Sequence, residues 1–386
     1  MVPNGWEVKE LQFLCKKIAV GLAISVTPFM RTSGVKLIRN QNIKRNYFNS
    51  DSVVYIDEVF ANSNKSKKVR HGDVVAVRTG SNIGEACVVP KDFDGALTFT
   101  TLIARPNPEL LDSFYLSTHI NSDRGISEVN RLCAGGGKPN LNSGELKRYR
   151  LLTPPLAEQK KIAQIFTTWD KAITTTEQLL ANSQQQKKNL MQQMLTCKKR
   201  LLDKNGVRFR REWKHGHLSD LGKITKGKAL SSKDLIVGDY PVIAGGKSSP
   251  YTHRDFTHEN VITVSASGAY AGYVAYHPYK LWASDCSVVI AKENSDIGFI
   301  YQLMSHMQSK IYSLQSGGAQ PHVYPKDLEV LRVSIPPIEE QQKIATVLCA
   351  ADQEIFALQQ KLDALKQEKK ALMQELLTGK RRVLVS

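Results

Sequence analysis

Side chains that can hydrogen-bond to two atoms of one partner are concentrated in the stretch GVKLIRNQNIKRNYFN, near the N-terminus. Arginine pairs with two acceptors of guanine, asparagine pairs with the donor and acceptor of adenine, and lysine favours phosphate. The stretch therefore predicts DNA contacts from Lys36, Arg39, Asn40, Asn42, Lys44 and Arg45. The alternative is a basic loop that contacts only solvent.

Further polar loops offer the same chemistry. Arg78 follows an apolar strand pattern and is expected to reach out from its end. The loop AGGKSSPYTHRDF is rich in glycine, which lets backbone approach a partner closely. The candidates in these and the related loops GGGKPN and GGAQPHVY are Arg78, Lys138, Asn140, Lys247, Ser248, Tyr251, His253, Arg254, Gln320, His322 and Tyr324. Such loops are equally compatible with simple turns between a strand and a helix.

The charge of the chain agrees with a polyanionic partner. Lys and Arg number 53 against 36 Asp and Glu, which gives a formal net charge of +17. Nucleic acid is the first candidate partner, and a generally basic surface is the alternative. The 386 residues exceed what one hydrophobic core normally serves, so two or more domains are expected.

Signals for membranes, disulfides, metals and catalysis are missing from the sequence. It contains no apolar run of about 18 residues and no signal peptide, which predicts a cytoplasmic protein without a membrane partner. The six cysteines form no CxxC pair, and the histidines show no metal-ligand spacing. A phosphate loop fails at YPVIAGGKSS, where Pro241 replaces the opening glycine, and no GxSxG is present. We expect neither a catalytic residue nor a metal site, and an enzyme with an unfamiliar site is the alternative.

A long segment occurs twice. PPLAEQKKIA begins at Pro154 and PPIEEQQKIA begins at Pro336, and a shift of about 182 positions aligns 134–201 with 316–383 without a gap. About 21 of the 49 positions from Thr153 onward are identical, which indicates a duplication. Fainter similarity upstream, such as GDVVAVRTGSNIG with ENVITVSASGAYAG, extends the repeat to two half-molecules.

Each repeated segment predicts a long helix that begins just after the Pro-Pro pair, with acidic residues in its first turn. Apolar residues recur at three- and four-residue steps, as in a coiled coil. This stripe consists of Phe166, Trp169, Ile173, Leu180, Leu190 and Met194 in the first copy and Leu348, Ile355, Leu358, Leu362, Leu365, Leu372 and Leu376 in the second. Thr176, Ser183 and Lys187 are expected to weaken the first stripe.

A helix of about 40 residues is about 60 Å long, which is too long to be buried in one small domain. We therefore expect the two helices to pair as an antiparallel coiled coil about a pseudo-twofold axis. Two separate helical hairpins, or oligomerising tails, are the alternative. The predicted fold class is α+β, with two variable domains alternating with two spacer helices.

These features resemble the specificity subunit of Type I restriction-modification systems. The resemblance rests on the two Pro-Pro-x-x-Glu-Gln helices, on their ends LMQQMLT and LMQELLTGKRR, and on two divergent domains in alternation. It implies target-recognition domains at 1–152 and 202–334 and spacer helices at 153–201 and 335–386. The variable domains match the family only weakly.

The resemblance also implies a function and a set of partners. The expected function is non-catalytic recognition of a bipartite, asymmetric site on double-stranded DNA. The expected partners are two methyltransferase subunits and, through them, restriction subunits that form an ATP-dependent endonuclease and translocase. S-adenosylmethionine would bind the methyltransferase and not this chain. A stand-alone DNA-binding protein and a coiled-coil scaffold remain the alternatives.

Overall fold

The computed structural model describes residues 2–133, 139–246, 250–318 and 320–384. The chain divides into two compact units, and each unit contains half of each long helix. Unit 1 comprises Met1–Glu177 and Lys361–Ser386, and unit 2 comprises Gln178–Gln360. Among the described residues, no helix combines the length and the hydropathy required to span a membrane.

Unit 1 contains twelve labelled strands and four short helices within its described residues, followed by the long helix α5. The strands are β1 Glu7–Glu10, β2 Cys15–Val20, β3 Met30–Arg31, β4 Val35–Ile38, β5 Ile43–Lys44, β6 Tyr47–Phe48, β7 Val54–Ile56, β8 Val74–Val77, β9 Ala86–Val88, β10 Leu97–Thr98, β11 Thr101–Pro106 and β12 Arg150–Thr153. The helices are α1 Glu58–Ser63, α2 Ser113–Ile120, α3 Asp123–Cys133, α4 Ser143–Lys147 and α5 Leu156–Leu195.

The main sheet of unit 1 has the antiparallel order β2-β11-β8-β9. Both of its faces are covered, which explains why β8 reads as the unbroken apolar run VVAV. Val74 and Ala76 pack with the helices, whereas Val75 and Val77 belong to a second apolar cluster under the β5–β6 hairpin. A smaller mixed sheet has the order β10-β4-β7-β3, with β10 parallel to β4.

Unit 2 repeats this plan. Its strands are β13 Lys214–His217, β14 Gly222–Lys226, β15 Tyr240–Ile243, β16 Thr252–His253, β17 Val261–Ser265, β18 Val274–His277, β19 Trp282–Ala283, β20 Cys286–Ala291 and β21 Arg332–Ile335. Its helices are α6 Leu218–Leu221, α7 Ile297–His306, α8 Gln308–Tyr312, α9 Pro325–Glu329 and α10 Ile338–Leu376.

The main sheets of the two units match strand for strand, whereas the small sheet has four strands in unit 1 and three in unit 2. The main sheet has the antiparallel order β14-β20-β17-β18, and the small sheet has the order β16-β15-β19 with β15 parallel to β19. The duplicated sequence therefore folds into two units whose main sheets have the same topology. The predicted α+β class is confirmed.

The long helices pair antiparallel inside each unit. In unit 1, Asp170 and Glu177 of α5 form ion pairs with Lys369 and Lys366 of α10, so that the numbering rises on one helix and falls on the other. In unit 2, Ser183 and Lys187 contact Glu354 and Asp352 in the same sense. The predicted antiparallel pairing of the helices is confirmed. Asp170–Lys369 and Lys187–Asp352 occupy equivalent repeat positions.

The predicted stripe coincides with the inward side of each helix. On α5 the buried and half-buried positions include Phe166, Trp169, Ile173, Thr176, Leu180, Ser183, Lys187, Leu190 and Met194. On α10 they include Leu348, Ile355, Leu358, Leu362, Leu365, Lys369, Leu372 and Leu376. Ser183 and Lys187, which are expected to weaken the first stripe, each have a polar partner on α10.

Candidate functional site

In unit 1 the structure brings together two predicted DNA contacts that are 62 residues apart. Arg78 follows the last residue of β8, and its Nε donates to Asn140 Oδ1 at 3.1 Å. The backbone holds the two loops together, because Leu141 N donates to Arg78 O at 3.0 Å and Thr79 bridges to Asn140. This bond uses one of the five N–H donors of a guanidinium.

The position of Asn140 is fixed by the start of the next helix. Asn142 accepts from Glu145 N at 2.9 Å, and Glu145 accepts from Asn142 N at 2.8 Å, which forms a capping box at the N-terminus of α4. Because the cap fixes the chain two residues beyond Asn140, the amide is presented at the end of the main sheet.

The remaining predicted residues of the first loop have different surroundings. Lys36 donates to Asp92 O at 2.7 Å and lies over the Phe93 ring. Arg39 donates to Ser52 O at 3.0 Å, and Arg45 lies 3.4 Å from Glu85. Lys44 and Arg45 are exposed on the β5–β6 hairpin, and the Oδ1 of half-buried Asn40 has no hydrogen-bond partner among the described residues.

Asn42 points inward. Its side chain is 1% exposed, accepts from Arg39 N at 2.9 Å and donates to Asn49 O at 2.9 Å. Both functional atoms of the amide therefore stabilise the loop itself. We leave Asn42 out of the proposed DNA contacts for this reason.

In unit 2 the corresponding loops form a comparable group. Val323 N donates to Ala266 O at 3.0 Å, and Ser267 bridges to His322, just as Leu141 and Thr79 relate to Arg78 and Asn140. His322 stacks on Tyr324 with ring centroids 6.0 Å apart, and Gln320 is exposed beside them. Asp285, which accepts from the Ser267 hydroxyl, joins this group.

Asp285 was missed by sequence reasoning. Its position in the sequence could have indicated it, because Asp285 directly precedes the buried strand β20. Ser265 pairs with the first residue of that strand, so Asp285 lies at the same end of the sheet as Ser265. A carboxylate has the chemistry to accept from the cytosine amino group, which differs from the chemistry of Arg78 and Asn140.

The glycine-rich loop of unit 2 divides into inward and outward residues. His253 is 3% exposed, its Nδ1 accepts from Asp255 N at 2.8 Å, and its ring packs against Trp282. Tyr251 and Arg254 are exposed. We therefore leave His253 out of the proposed contacts. Lys138, Lys247 and Ser248 lie outside the described residues.

The Glu-Gln pair that follows each Pro-Pro pair, Glu158–Gln159 and Glu340–Gln341, makes buried hydrogen bonds that the sequence alone did not reveal. Glu340 is buried in the first turn of α10, where it accepts two bonds from Arg200 at 2.7 and 2.8 Å and one from Trp213 Nε1 at 3.0 Å. Glu158 in the first turn of α5 likewise accepts from Arg382 and, at 3.2 Å, from Trp6 Nε1. We call each set of glutamate, arginine and tryptophan a clasp.

The glutamine of each pair attaches its long helix to a short helix of the same unit. Gln341 Oε1 accepts from Asp296 N at 3.0 Å, and Asp296 in turn caps α7 through Phe299 N. Gln159 Oε1 accepts from Asp112 N at 2.9 Å, and Asp112 caps α2. The motif thus fixes where each long helix begins relative to the adjacent sheet and helices.

Known proteins with similar sequences and a similar fold belong to one family. The family described as Type I restriction modification DNA specificity domain matches residues 3–184 and 210–367, and the chain belongs to this family. The predicted resemblance is thereby confirmed, and the chain is a specificity subunit of the type I class.

Individual relatives cover almost the whole chain. The MjaX specificity subunit of Methanocaldococcus jannaschii is 23% identical over 99% of this chain and 95% of its own. The MjaVIII specificity subunit from the same organism is 22% identical over 83% of this chain and 82% of its own. The crystal structure of the S subunit of the type I restriction-modification system from M. genitalium has the same fold, with a TM-score of 0.71 at 15% identity over 97% of both chains.

Proposed function

We propose that this chain reads a bipartite, asymmetric site on double-stranded DNA, with one half-site read by each unit. The observation that carries the proposal is that both units place polar side chains at the same end of the same sheet. Arg78 and Asn140 meet there in unit 1, and Ser267, Asp285 and His322 meet there in unit 2. Because these residue types differ between the units, the two half-sites are expected to differ in sequence.

We further propose that two copies of one methyltransferase subunit bind the repeated part of the chain. Whereas the reading loops differ, several exposed residues near the helix ends are identical in the two copies. They are Lys188, Gln192 and Lys198 in unit 2 and Lys370, Gln374 and Lys380 in unit 1. Identical side chains at equivalent positions suit one partner that binds twice, with the restriction subunits joining through it.

Under this proposal the partner subunits carry out the chemical steps. Methyl transfer from S-adenosylmethionine would take place on the methyltransferase subunits, and ATP-dependent cleavage on the restriction subunits. The present chain contributes position and sequence selection. Its net charge of +17 supports electrostatic attraction to DNA that does not depend on sequence.

The experiment that tests the proposal is co-expression with the methyltransferase, followed by mapping of N6-methyladenine across the host DNA. We expect a split, asymmetric motif that appears only when this chain is present. Co-purification should yield two methyltransferase copies per chain. A charge reversal at Lys188 together with Lys370 should reduce that number, whereas the exposed Lys16 provides a control position in a recognition domain. Unchanged methylation without the chain would contradict the proposal.

A further inference from the structure

Unit 2 contains a polar cavity between its main sheet and its small sheet. The cavity has a volume of about 270 Å³, and its lining includes Thr263, Ser265, Tyr273, His277, Tyr279 and Cys286. Pockets for small organic ligands begin at about this size. Tyr279 is 47% exposed, so the cavity reaches the protein surface at this residue.

The equivalent sheet face of unit 1 is apolar. Thr263 pairs with Val288 and Ala275, as Val75 pairs with Ile103 and Cys87, and this shared register makes Thr263 the counterpart of Val75. By the same register, Ser265 corresponds to Val77 and His277 to Val89. These three valines are at most 1% exposed and pack with Ile43 and Phe93.

The fold therefore does not require polar residues at these positions. An apolar face in unit 1 stabilises the same sheet by removing valine side chains from water. Replacing that face with hydroxyl and imidazole groups forgoes this stabilisation. Departures of this kind from a well-packed core are characteristic of functional sites.

The lining groups are neutral hydrogen-bonding groups. His277 Nε2 lies 2.9 Å from Thr263 Oγ1, and Nδ1 lies 3.1 Å from the Tyr279 hydroxyl. Burial lowers the pKa of His277 to about 4 and raises the pKa of Cys286 to about 12, so both are uncharged near neutral pH. Among the described lining residues there is no Asp, Glu, Lys or Arg. The ligand should therefore be uncharged where it enters the cavity.

The location of the cavity narrows the choice of ligand. Ala244 and Gly246, which begin the glycine-rich loop, also line it, and Ser265 leads directly to the group formed by Ser267 and Asp285. Aromatic side chains around a cavity suit a flat ring, and hydroxyl groups suit the hydrogen-bonding edge of a heterocycle.

We propose that this cavity binds a neutral nucleobase. The preferred ligand is a base of the bound DNA that is flipped out of the double helix. This choice of ligand rests on the proposed reading of DNA by unit 2. A free nucleoside offers the same chemistry without DNA. Turning a base out of the stack is costly, and the cost falls when the base has lost its pairing partner.

The first test uses the complex of the full chain with its methyltransferase, bound to duplexes that carry the mapped site. In each duplex one nucleotide of the half-site of unit 2 is replaced by an abasic nucleotide, which loosens the base opposite. We expect about tenfold tighter binding at one position other than the methylated base, because the unpairing cost has been removed.

Two variants test whether the cavity is responsible. Ala275 lines the cavity, and A275F should fill it and abolish the tighter binding at that position. The T263V/H277V variant introduces the valines that unit 1 has at the equivalent positions, and it should reduce the tighter binding at that position. K280Q is the matched control, because Lys280 lies over Phe256 and does not line the cavity. It should change the affinity for all duplexes equally. Thermal unfolding shows whether each variant is folded. If A275F is misfolded, the T263V/H277V variant alone tests whether the cavity causes the tighter binding.

A second arm measures adenosine, cytidine, guanosine and thymidine binding to the same complex without DNA. Binding of a nucleoside that A275F abolishes, with no position of tighter DNA binding, would assign the cavity to a free nucleoside. If the duplex series shows no tighter position and no nucleoside binds, the cavity proposal is overturned. A chain-dependent methylation motif would still be present in that case, so the proposed DNA-reading function would stand independently.

Discussion

Glu340 accepts two hydrogen bonds from the guanidinium of Arg200, which lies 140 residues away in the chain, at 2.7 and 2.8 Å. The glutamate side chain is 1% exposed and the arginine side chain 15% exposed, so this ion pair is largely removed from water. A buried carboxylate needs a paired cation and further donors, and Trp213 supplies one of these donors. The equivalent pair in unit 1 is Glu158 and Arg382.

The first prediction concerns the two clasps. The R200A variant should lower the free energy of unfolding of unit 2 by about 3–5 kcal/mol, because it leaves Glu340 buried without its cation. The side chain of Arg382 is 43% exposed, so R382A should cost less in unit 1 than R200A costs in unit 2. Denaturant unfolding combined with hydrogen exchange would assign each loss to its unit.

Arg381 is the control for this pair of variants. It is exposed and lies 3.6 Å from Glu375, so R381A should change stability by no more than about 0.5 kcal/mol. Equal effects of R200A and R381A would show that the clasp contributes no more than a surface ion pair.

The second prediction concerns the proposed contact of Arg78 with a base. The R78A variant should weaken binding by about 1–3 kcal/mol and relax base preference at one position of one half-site. The half-site read by unit 2 should keep its sequence. Methylation mapping of the variant complex, combined with binding at several salt concentrations, measures both effects. A uniform loss on all sequences with a shallower salt dependence would instead identify Arg78 as a phosphate contact.

The sequence predicted the helices better than the loops. Pro-Pro pairs and three- and four-residue apolar steps are local signals, and Leu348, Leu362 and Leu376 are buried as these steps require. The sheets depend on long-range pairing, such as β11 between β2 and β8, which the sequence reading did not supply.

The orientation of loop side chains could be predicted only in part. Arg78 reaches out at the end of its strand, but Asn42 and His253 turn inward because their loops use them as hydrogen-bond partners for backbone. Nothing in a run of polar residues distinguishes these two uses. Glu158 and Glu340 were recognised only as acidic first-turn residues, since their partners Arg382 and Arg200 are distant in sequence.

The third prediction concerns the ion pairs between the two long helices. Lys187 and Asp352 are 2.5 Å apart in unit 2, and Lys369 and Asp170 are 2.5 Å apart at the equivalent position of unit 1. K187D should be destabilising because it brings two carboxylates together, and K187D/D352K should recover part of the loss. The double-mutant cycle should give a coupling energy of about 0.5–3 kcal/mol.

The equivalent exchange K369D/D170K provides the matched comparison. Asp352 also accepts from Gln302 at 2.7 Å, and this bond is lost when the aspartate becomes lysine. Recovery should therefore be less complete in unit 2 than in unit 1. A coupling energy of zero in both units would show that these pairs do not set the helix register.

The fourth prediction concerns acid stability, which we assign partly to His119. Its ring is buried, Nδ1 lies 2.9 Å from the Tyr149 hydroxyl, and Nε2 has no partner among the described residues. Burial lowers its pKa from 6.5 to about 3. The unfolded chain therefore takes up a proton that the folded chain does not, so stability is lost as the pH falls from about 6.5 towards 3. The loss should approach about 1.4 kcal/mol per pH unit.

The H119N variant tests this assignment. Its amide can still bond to the Tyr149 hydroxyl but does not titrate, so its unfolding free energy should fall less steeply between pH 6 and 4. Hydrogen exchange in unit 1 is the appropriate measurement, because the depressed pKa of His277 gives unit 2 its own acid sensitivity. H277N is the control and should leave the pH dependence of unit 1 unchanged. Parallel pH profiles for wild type and H119N in unit 1 would show that the acid sensitivity arises from other groups.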